Sequence, residues 1–462
     1  MNTGENMPKI AIIGLGKAGI ASLIGILRAP DLKGCSLSLL GKNEEKIRTI
    51  ELFSKKLNAY FDAEMSIQGT TDLEKSLNGA DYIFLSLAVD REKCWSLDRD
   101  IALKYGINHF AENGGPGAFM HAARNLSVIM PILRKIEECA SQAWLFNFTN
   151  PVARVCTAAR LYTSIKTVGI CHQIDYGYFI LANLFSKELN LKIDPIRKYL
   201  WNDKSSFLLN FLSHKARQKF IIRAWGINHL TWMMSINDRQ TGRDLYPEIR
   251  EKIKLLPAEF EPLSRDIFSI FGYLPVPGDY HLGEYFPFTS NTARNSWEYY
   301  GIQPYNLTWS LQRKKELWER INKLIQGQIP SSHFKRSATE GAEYIISAML
   351  KNKNSYEEAV NLPNQGAILN LPTGAIIETP ALIDSQGPTP LCAGHLPEPI
   401  AEICRRQTII NQLSVQAIVE GSREKALQAF VLDPMIDDIQ TAKKLLDEYL
   451  MIFKEYLKVK FD

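Results

Sequence analysis

The sequence predicts an α/β protein: an N-terminal, Rossmann-like, doubly wound parallel sheet followed by a C-terminal α+β region. Through residues 1–195, short apolar runs alternate with helical patterns, and a glycine-rich turn directly follows the first run. From about residue 196, longer strand-like runs stand among helices. We therefore expect two domains, over 1–195 and 196–462.

The elements follow in order. The run "KIAIIG" at 9–14 predicts a strand, and the periodic segment after it predicts a helix that stops before Pro30. Further strands of the first domain are predicted in "CSLSLLG", "DYIFLSLAV", "AWLFNFTNP" and "TVGIC". Strands and hairpins of the second are predicted in "FLLNFLSH", "KFIIRAWGINHLTWMMSIND" and "GAILNLPTGAIIETPALID". The last 65 residues contain strong helical periodicity.

Composition excludes several classes of protein. The 54 Lys and Arg against 50 Asp and Glu leave a formal charge of only +4, so nucleic acid is not expected as a partner. No apolar run is long enough for a membrane helix, and the N-terminus lacks a signal-peptide pattern, so we expect a soluble, cytoplasmic protein. The seven cysteines are scattered without a C-x-x-C pair, so any functional cysteine acts singly.

The glycine turn predicts a dinucleotide site. Gly14, Gly16 and Gly19 form G-x-G-x-x-G between strand and helix, where backbone N–H groups can approach a pyrophosphate. The next strand lacks the usual ribose-binding acid and is followed instead by Lys42 and Asn43. Lys42 could neutralise a ribose 2'-phosphate or simply be solvated, so NAD and NADP both remain open.

Asn150 and Cys171 follow two later strands and should share the sheet edge where ligands bind. Asn150 before Pro151 is also typical of a helix N-cap, which would explain it without a ligand. A thiolate and an imidazole are good ligands for a divalent transition metal, and His229 in "WGINHLTW" is the candidate partner for Cys171. A buried thiol and a structural histidine are the alternatives.

Several ordered motifs then identify a likeness. The chain resembles glycoside hydrolase family 4, glycosidases that need a nicotinamide dinucleotide and usually manganese. The likeness rests on the glycine turn, "ENGGPGAFMHAAR", "NFTNPVARV", "GICH", "GINHLTW", "NLPTGAIIETPALID" and "VLDPM". Within the family, "NLPNQGAILNLP" and "GYLPVPGDYHLGEYFP" are most similar to the branch that acts on α-galacturonides.

The resemblance implies a redox-neutral hydrolysis: oxidation at C3, deprotonation at C2, elimination of the aglycone, water addition and re-reduction. It implies Cys171 and His229 as ligands of Mn²⁺ or another divalent metal, Asn150 as a substrate contact and His172 as proton donor to the leaving oxygen. Glu112 stands where the family usually has Asp, and could tune the base or position the metal. Ala118 replaces a family glycine.

The C2 base is expected in the loop "PGDYH". We favour Asp279, with Tyr280, His281 and Tyr285 as alternatives. Arg294 in "NTARNSW" could pair with a uronic carboxylate through its planar guanidinium, and an ordinary surface arginine is the alternative.

Two other functions compete with the glycosidase. The glycine turn alone would equally serve an NAD(P)-dependent sugar or hydroxy-acid dehydrogenase. The departures from the family pattern would also suit a non-catalytic dinucleotide-binding homologue. By resemblance we expect a glycoside substrate and a homodimer or homotetramer. The lack of a membrane-length apolar run leads us to expect no membrane partner.

Overall fold

The computed structural model describes residues 7–191, 200–335, 337, 339 and 341–462. Its strands are β1 Lys9–Ile13, β2 Ser36–Leu40, β3 Ser66–Thr70, β4 Tyr82–Leu85, β5 Trp144–Asn147, β6 Lys166–Gly169, β7 Phe220–Ile227, β8 Leu230–Asp238, β9 Ser355–Pro363, β10 Ile376–Asp384 and β11 Gly387–Pro390.

The helices of the first half are α1 Lys17–Arg28, α2 Glu44–Phe61, α3 Leu73–Leu77, α4 Arg91–Lys104, α5 Gly115–Cys139, α6 Val152–Tyr162, α7 Ile174–Leu184, α8 Asp203–Lys219 and α9 Tyr246–Lys252. Those that follow are α10 Pro262–Phe271, α11 Asp279–Leu282, α12 Pro287–Ser290, α13 Ser296–Tyr299, α14 Leu307–Ile325, α15 Ala342–Leu350, α16 Glu398–Glu420, α17 Arg423–Leu432 and α18 Ile439–Ile452. No helix in these ranges is both long and apolar enough to span a bilayer.

The predicted parallel sheet is confirmed. Strands β3-β2-β1-β4-β5-β6 lie in that order and pair in parallel. Strand β1 shows why its sequence is apolar throughout: Ile10 and Ile12 enter one core, and Ala11 and Ile13 enter another on the opposite face.

The sheet does not end at the predicted domain boundary. Strand β9 pairs antiparallel with β6, and β10, β7 and β8 continue the same sheet. Helices α16 and α18 pack back against α4, α5 and α6, so the C-terminal chain covers the parallel half. The division at 195/196 stays a prediction, and it falls outside the described residues.

One predicted strand is wrong. The segment "FLLNFLSH" lies within helix α8, whose first turn is capped by the Asn202 side chain accepting from Ser205 N. Leu212 and Ala216 are buried one turn apart, while Phe207 is exposed. A short apolar run alone cannot distinguish strand from helix, and here the cap and the i, i+4 spacing decide.

Candidate active site at the carboxyl edge of the sheet

Parallel pairing places two predicted residues at one edge of the sheet. Strands β5 and β6 run side by side, with Asn147 paired to Gly169. Asn150 and Cys171 follow these strand ends directly, so the topology brings both to the carboxyl edge. The capping explanation of Asn150 is wrong, because α6 has Pro151 as its N-cap and no side-chain cap bond.

The antiparallel half contributes His229 through a tight turn. Asn228 and His229 connect β7 to β8, and His229 has a φ of 63°. Beneath this turn, the buried Glu378 on β10 accepts hydrogen bonds from Asn228 Nδ2 and Thr231 Oγ1, each at 2.7 Å. This strained, well-anchored turn fixes the imidazole against the carboxyl edge.

The cysteine and histidine meet, as the sequence predicted. Cys171 Sγ lies 3.5 Å from His229 Nε2. Ligand atoms of Glu112, His229 and His281 lie within 4.8 Å of one another, and all three residues are buried. The rings of His229 and His281 are 4.0 Å apart between centroids. Four chain segments therefore converge on one point.

Glu112 connects this cluster to its surroundings. Its Oε1 accepts a hydrogen bond from Asn150 Nδ2 at 2.9 Å and lies 3.7 Å from the Arg91 guanidinium. Its Oε2 lies 3.6 Å from His281 Nε2. Among the described residues, the buried Asn150 Oδ1 has no hydrogen-bond partner. A buried acceptor left unpaired by protein is available to a substrate hydroxyl.

The electrostatics suit a metal. Burial, followed by the charges of His281 and His172, holds the pKa of His229 well below its usual value. A neutral imidazole is the form that coordinates a cation. The thiol, imidazole and carboxylate donors of the cluster fit a divalent transition metal. Asn113 Nδ2 lies 2.8 Å from His229 Nδ1, and its amide can present either nitrogen or oxygen to that ring atom.

The glycine turn fits a dinucleotide. Gly14 has a φ of 98°, and a Cβ on Gly19 would lie 2.0 Å from Gly14 O, so both glycines are required by the local backbone packing. A Cβ on Gly16 would meet no described protein atom within 4 Å. Gly16 therefore has no packing reason to be glycine, whereas close approach by a pyrophosphate would supply one.

The candidate bases lie in different environments. Both Asp279 oxygens accept hydrogen bonds at the start of α10, from Leu263 N and from the N–H and hydroxyl of Ser264. Tyr285 donates its hydroxyl to Asn228 O, and burial raises its pKa well above the usual value. Tyr280 packs against Trp201, with 4.7 Å between ring centroids. His281 is the candidate whose ring nitrogen reaches the cluster.

The remaining predicted residues lie at the surface. Lys42 and His172 are exposed. Asn43 is exposed too, and its side chain caps α2 by accepting from Lys46 N. Arg294 is exposed on a short turn, with its N–H bonded to Asn291 O.

Sequence reasoning missed three residues of the site. Arg91 lies beside Glu112, Asn113 bonds the His229 ring, and Glu284 bonds the His281 ring at Nδ1. The spacing of His281 and Glu284, three residues apart, was a detectable signal, because such residues are neighbours in a helical turn. Nothing local marked Arg91.

The family comparison decides the relationship. Residues 9–183 match the model described as "Family 4 glycosyl hydrolase", and residues 224–436 match "Family 4 glycosyl hydrolase C-terminal domain". The chain belongs to family 4 of the glycosyl hydrolases. The predicted resemblance is thereby confirmed over most of this family 4 chain.

Characterised relatives of this family 4 glycosyl hydrolase are distant but full-length. It is 26% identical to an alpha-glucosidase of Erwinia rhapontici, over 95% of this chain and 96% of the relative. It is 27% identical to an alpha-galacturonidase of Lachnoclostridium phytofermentans, over 97% of this chain and 96% of the relative. Its fold matches that of a 6-phospho-alpha-glucosidase from gut microorganisms, which was solved in complex with NAD and Mn²⁺. The TM-score is 0.77 at 21% identity, and the match covers 98% of this chain and 100% of that one.

Proposed function

We propose that this protein is a glycosidase that hydrolyses an unphosphorylated α-glycoside, with an α-galacturonide as its substrate, using NAD and a divalent metal. The observation that carries the proposal is the convergence of Cys171, His229, Glu112 and His281 beside Asn150. Family membership supports the reaction class, and the relatives that act on α-glucosides and α-galacturonides support the substrate class.

Each cofactor has a matching set of residues. The turn at Gly14, Gly16 and Gly19 would hold the pyrophosphate of NAD, and Cys171, His229 and Glu112 would hold the cation. When bound, the dinucleotide would supply reversible hydride transfer and the cation would supply Lewis acidity toward the sugar. The protein's own groups then move protons and orient the sugar.

We assign the C2 base to His281 rather than to Asp279, which the sequence favoured. The His281 Nδ1 atom is bonded to Glu284 at 2.9 Å, and Nε2 lies 3.6 Å from Glu112 Oε2, at the cluster. An imidazole can both accept and donate a proton through its ring nitrogens, which suits general base catalysis. Both oxygens of Asp279 are occupied in capping α10.

Two residues are proposed to bind the sugar, and one is proposed to protonate the leaving oxygen. Asn150 Oδ1 would accept a hydrogen bond from a sugar hydroxyl, which supplies the partner it lacks among the described residues. Arg91 is better placed than Arg294 to pair with a uronic carboxylate, since its guanidinium already lies at Glu112 and packs against the rings of Trp95 and Tyr305. The exposed His172, next to Cys171, would protonate the leaving oxygen.

The test is a panel of nitrophenyl α- and β-glycosides, including galacturonide, glucuronide and galactoside, assayed with NAD or NADP and with or without Mn²⁺. We expect release of nitrophenol from the α-galacturonide that needs both cofactors, without net formation of NADH. Deuterium from solvent should appear at C2 of the product, and His281→Gln should abolish that incorporation. NADH formed in proportion to substrate would instead favour a dehydrogenase, and no turnover across the panel would favour a non-catalytic homologue.

A further inference from the structure

Glu284 is a buried carboxylate that the sequence did not single out. Its side chain is 1% exposed, and its Oε2 accepts three successive backbone N–H groups, from Glu112 at 2.9 Å, Asn113 at 2.6 Å and Gly114 at 2.9 Å. Its Oε1 lies 2.9 Å from His281 Nδ1. One carboxylate thus contacts both the segment that carries Glu112 and the ring proposed as base.

These contacts determine which ring nitrogen of His281 carries the proton. Three N–H donors converge on Oε2, a geometry that suits a carboxylate accepting through both oxygens, so we take Oε1 as the acceptor of its contact with Nδ1. Nδ1 must therefore donate. In the neutral ring this leaves Nε2 with its lone pair, and Nε2 is the atom near Glu112 Oε2.

We propose that Glu284 is a positioning residue that fixes His281 in the Nδ1–H tautomer, so that the Nε2 lone pair faces the site. The inference rests on the proposed function, in which Nε2 accepts the C2 proton. The opposite tautomer would present an N–H at this point and could not accept a proton.

The same carboxylate also sets the geometry of the facing loop. The loop also packs on the main chain of Glu284, since a Cβ added to Gly114 would lie 2.4 Å from the backbone carbonyl oxygen of Glu284. The side chains of Glu112 and Asn113 leave this loop toward Asn150 and His229. Glu284, two residues after the end of α11, therefore aligns both the loop and the His281 ring.

Glu284→Gln separates the two roles. Its amide oxygen can still accept the three loop N–H groups, which keeps the loop in place. Its amide nitrogen must then face His281 Nδ1 as a donor, which moves the ring proton to Nε2. A purely structural role predicts that glutamine replaces glutamate well, whereas the tautomer role predicts loss of the proton acceptor.

The readout is the ¹⁵N chemical shifts of the ring nitrogens in histidine-labelled protein, with the His281 signals identified by their loss in His281→Asn. In the wild type we expect Nδ1 protonated and Nε2 bare, and in Glu284→Gln the reverse, with at least a tenfold loss of glycoside turnover. A wild-type ring protonated at Nε2 would overturn the proposal, and so would a variant whose ring keeps the wild-type tautomer. The wild-type measurement decides even if the variant fails to fold.

Asp433→Asn is the matched control. Burial lowers the pKa of the Arg154 guanidinium, and the negative charges of Asp433 and Glu284 both raise it. Each amide variant therefore removes one negative charge from the surroundings of Arg154. Asp433 accepts from Met435 N, a contact that asparagine can keep. We expect it to leave the His281 tautomer unchanged, and a swap in this variant would overturn the assignment to Glu284. Absence of turnover by the wild type would remove the proposed function alone, because the nitrogen shifts still report the tautomer.

Discussion

Two glycines of one motif should respond in opposite ways to alanine, since one is required by the fold and the other by the ligand. An added Cβ on Gly19 would lie 2.0 Å from Gly14 O, and real Cβ contacts essentially never fall below 3.0 Å. Backbone and helix α1 must separate by about 1 Å to relieve the contact. Overpacking of this kind costs about 1–3 kcal/mol in unfolding free energy.

Gly16 offers the contrast. It is the N-cap of α1, with φ of −84° and ψ of −167°, a conformation open to any residue, and its added Cβ meets no described protein atom within 4 Å. Alanine there should change stability by no more than about 1 kcal/mol. If the pyrophosphate lies against this turn, the methyl group costs about 1–3 kcal/mol of binding free energy, which raises the Kd for NAD about 5-fold to 150-fold.

The assay pairs urea unfolding with calorimetric titration of NAD on Gly16→Ala, Gly19→Ala and the wild type. We expect Gly16→Ala to unfold like the wild type and bind NAD weakly, and Gly19→Ala to unfold at lower urea. Wild-type affinity in Gly16→Ala would refute the dinucleotide interpretation of the turn. Wild-type stability in Gly19→Ala would refute the packing argument.

Three further predictions concern the site and its support. Arg91→Met should lower kcat/KM for an α-galacturonide about tenfold to a hundredfold, because a charge-assisted pair with the substrate carboxylate is lost. It should not lower kcat/KM for the α-galactoside, which has no carboxylate, and Arg294→Met should leave both values unchanged. Equal losses on both sugars would contradict carboxylate recognition. Cys171→Ser should weaken Mn²⁺ binding at least about tenfold in an electron paramagnetic resonance titration, with the exposed Cys392→Ser as control, and unaltered affinity would exclude the thiol as ligand. Burial lowers the pKa of His109 to about 3 in the folded protein. As the pH falls below about 6.5, His109 is therefore protonated in the unfolded chain but not in the folded one. The free energy of unfolding should then decline by about 1.4 kcal/mol per pH unit because of this residue. Urea unfolding between pH 7.5 and 5 should show a shallower decline in His109→Gln, which can still accept from Gly117 N, and parallel declines would show that His109 does not contribute.

The parallel half of the fold followed from local pattern. An apolar strand buried on both faces, a glycine turn and a helix ending before proline are each recognisable from consecutive residues. Segment "FLLNFLSH" shows the limit of such reasoning. Its helical state depends on the Asn202 cap and on which side faces the core.

The proposed metal ligands and the proposed base differ in how far the sequence could identify them. Cys171 and His229 could be matched from the sequence because ordered motifs carried them, although 58 residues separate them. Comparing Asp279, Tyr280 and His281 as candidate bases needed the structure, since these three adjacent residues face different surroundings.

The sequence by itself determined the family and the strand-turn-helix at the N-terminus, and it offered the thiol and imidazole of the proposed metal site, because these reside in short motifs of neighbouring residues. The tertiary structure alone decided that Asn150 reaches Glu112 rather than capping a helix, that Arg91 lies at the site, and that Glu284 bonds a loop some 170 residues away. Side-chain hydrogen bonds between remote segments leave no periodic trace in sequence. They exist only once the sheet has brought its carboxyl edge and the β7–β8 turn together.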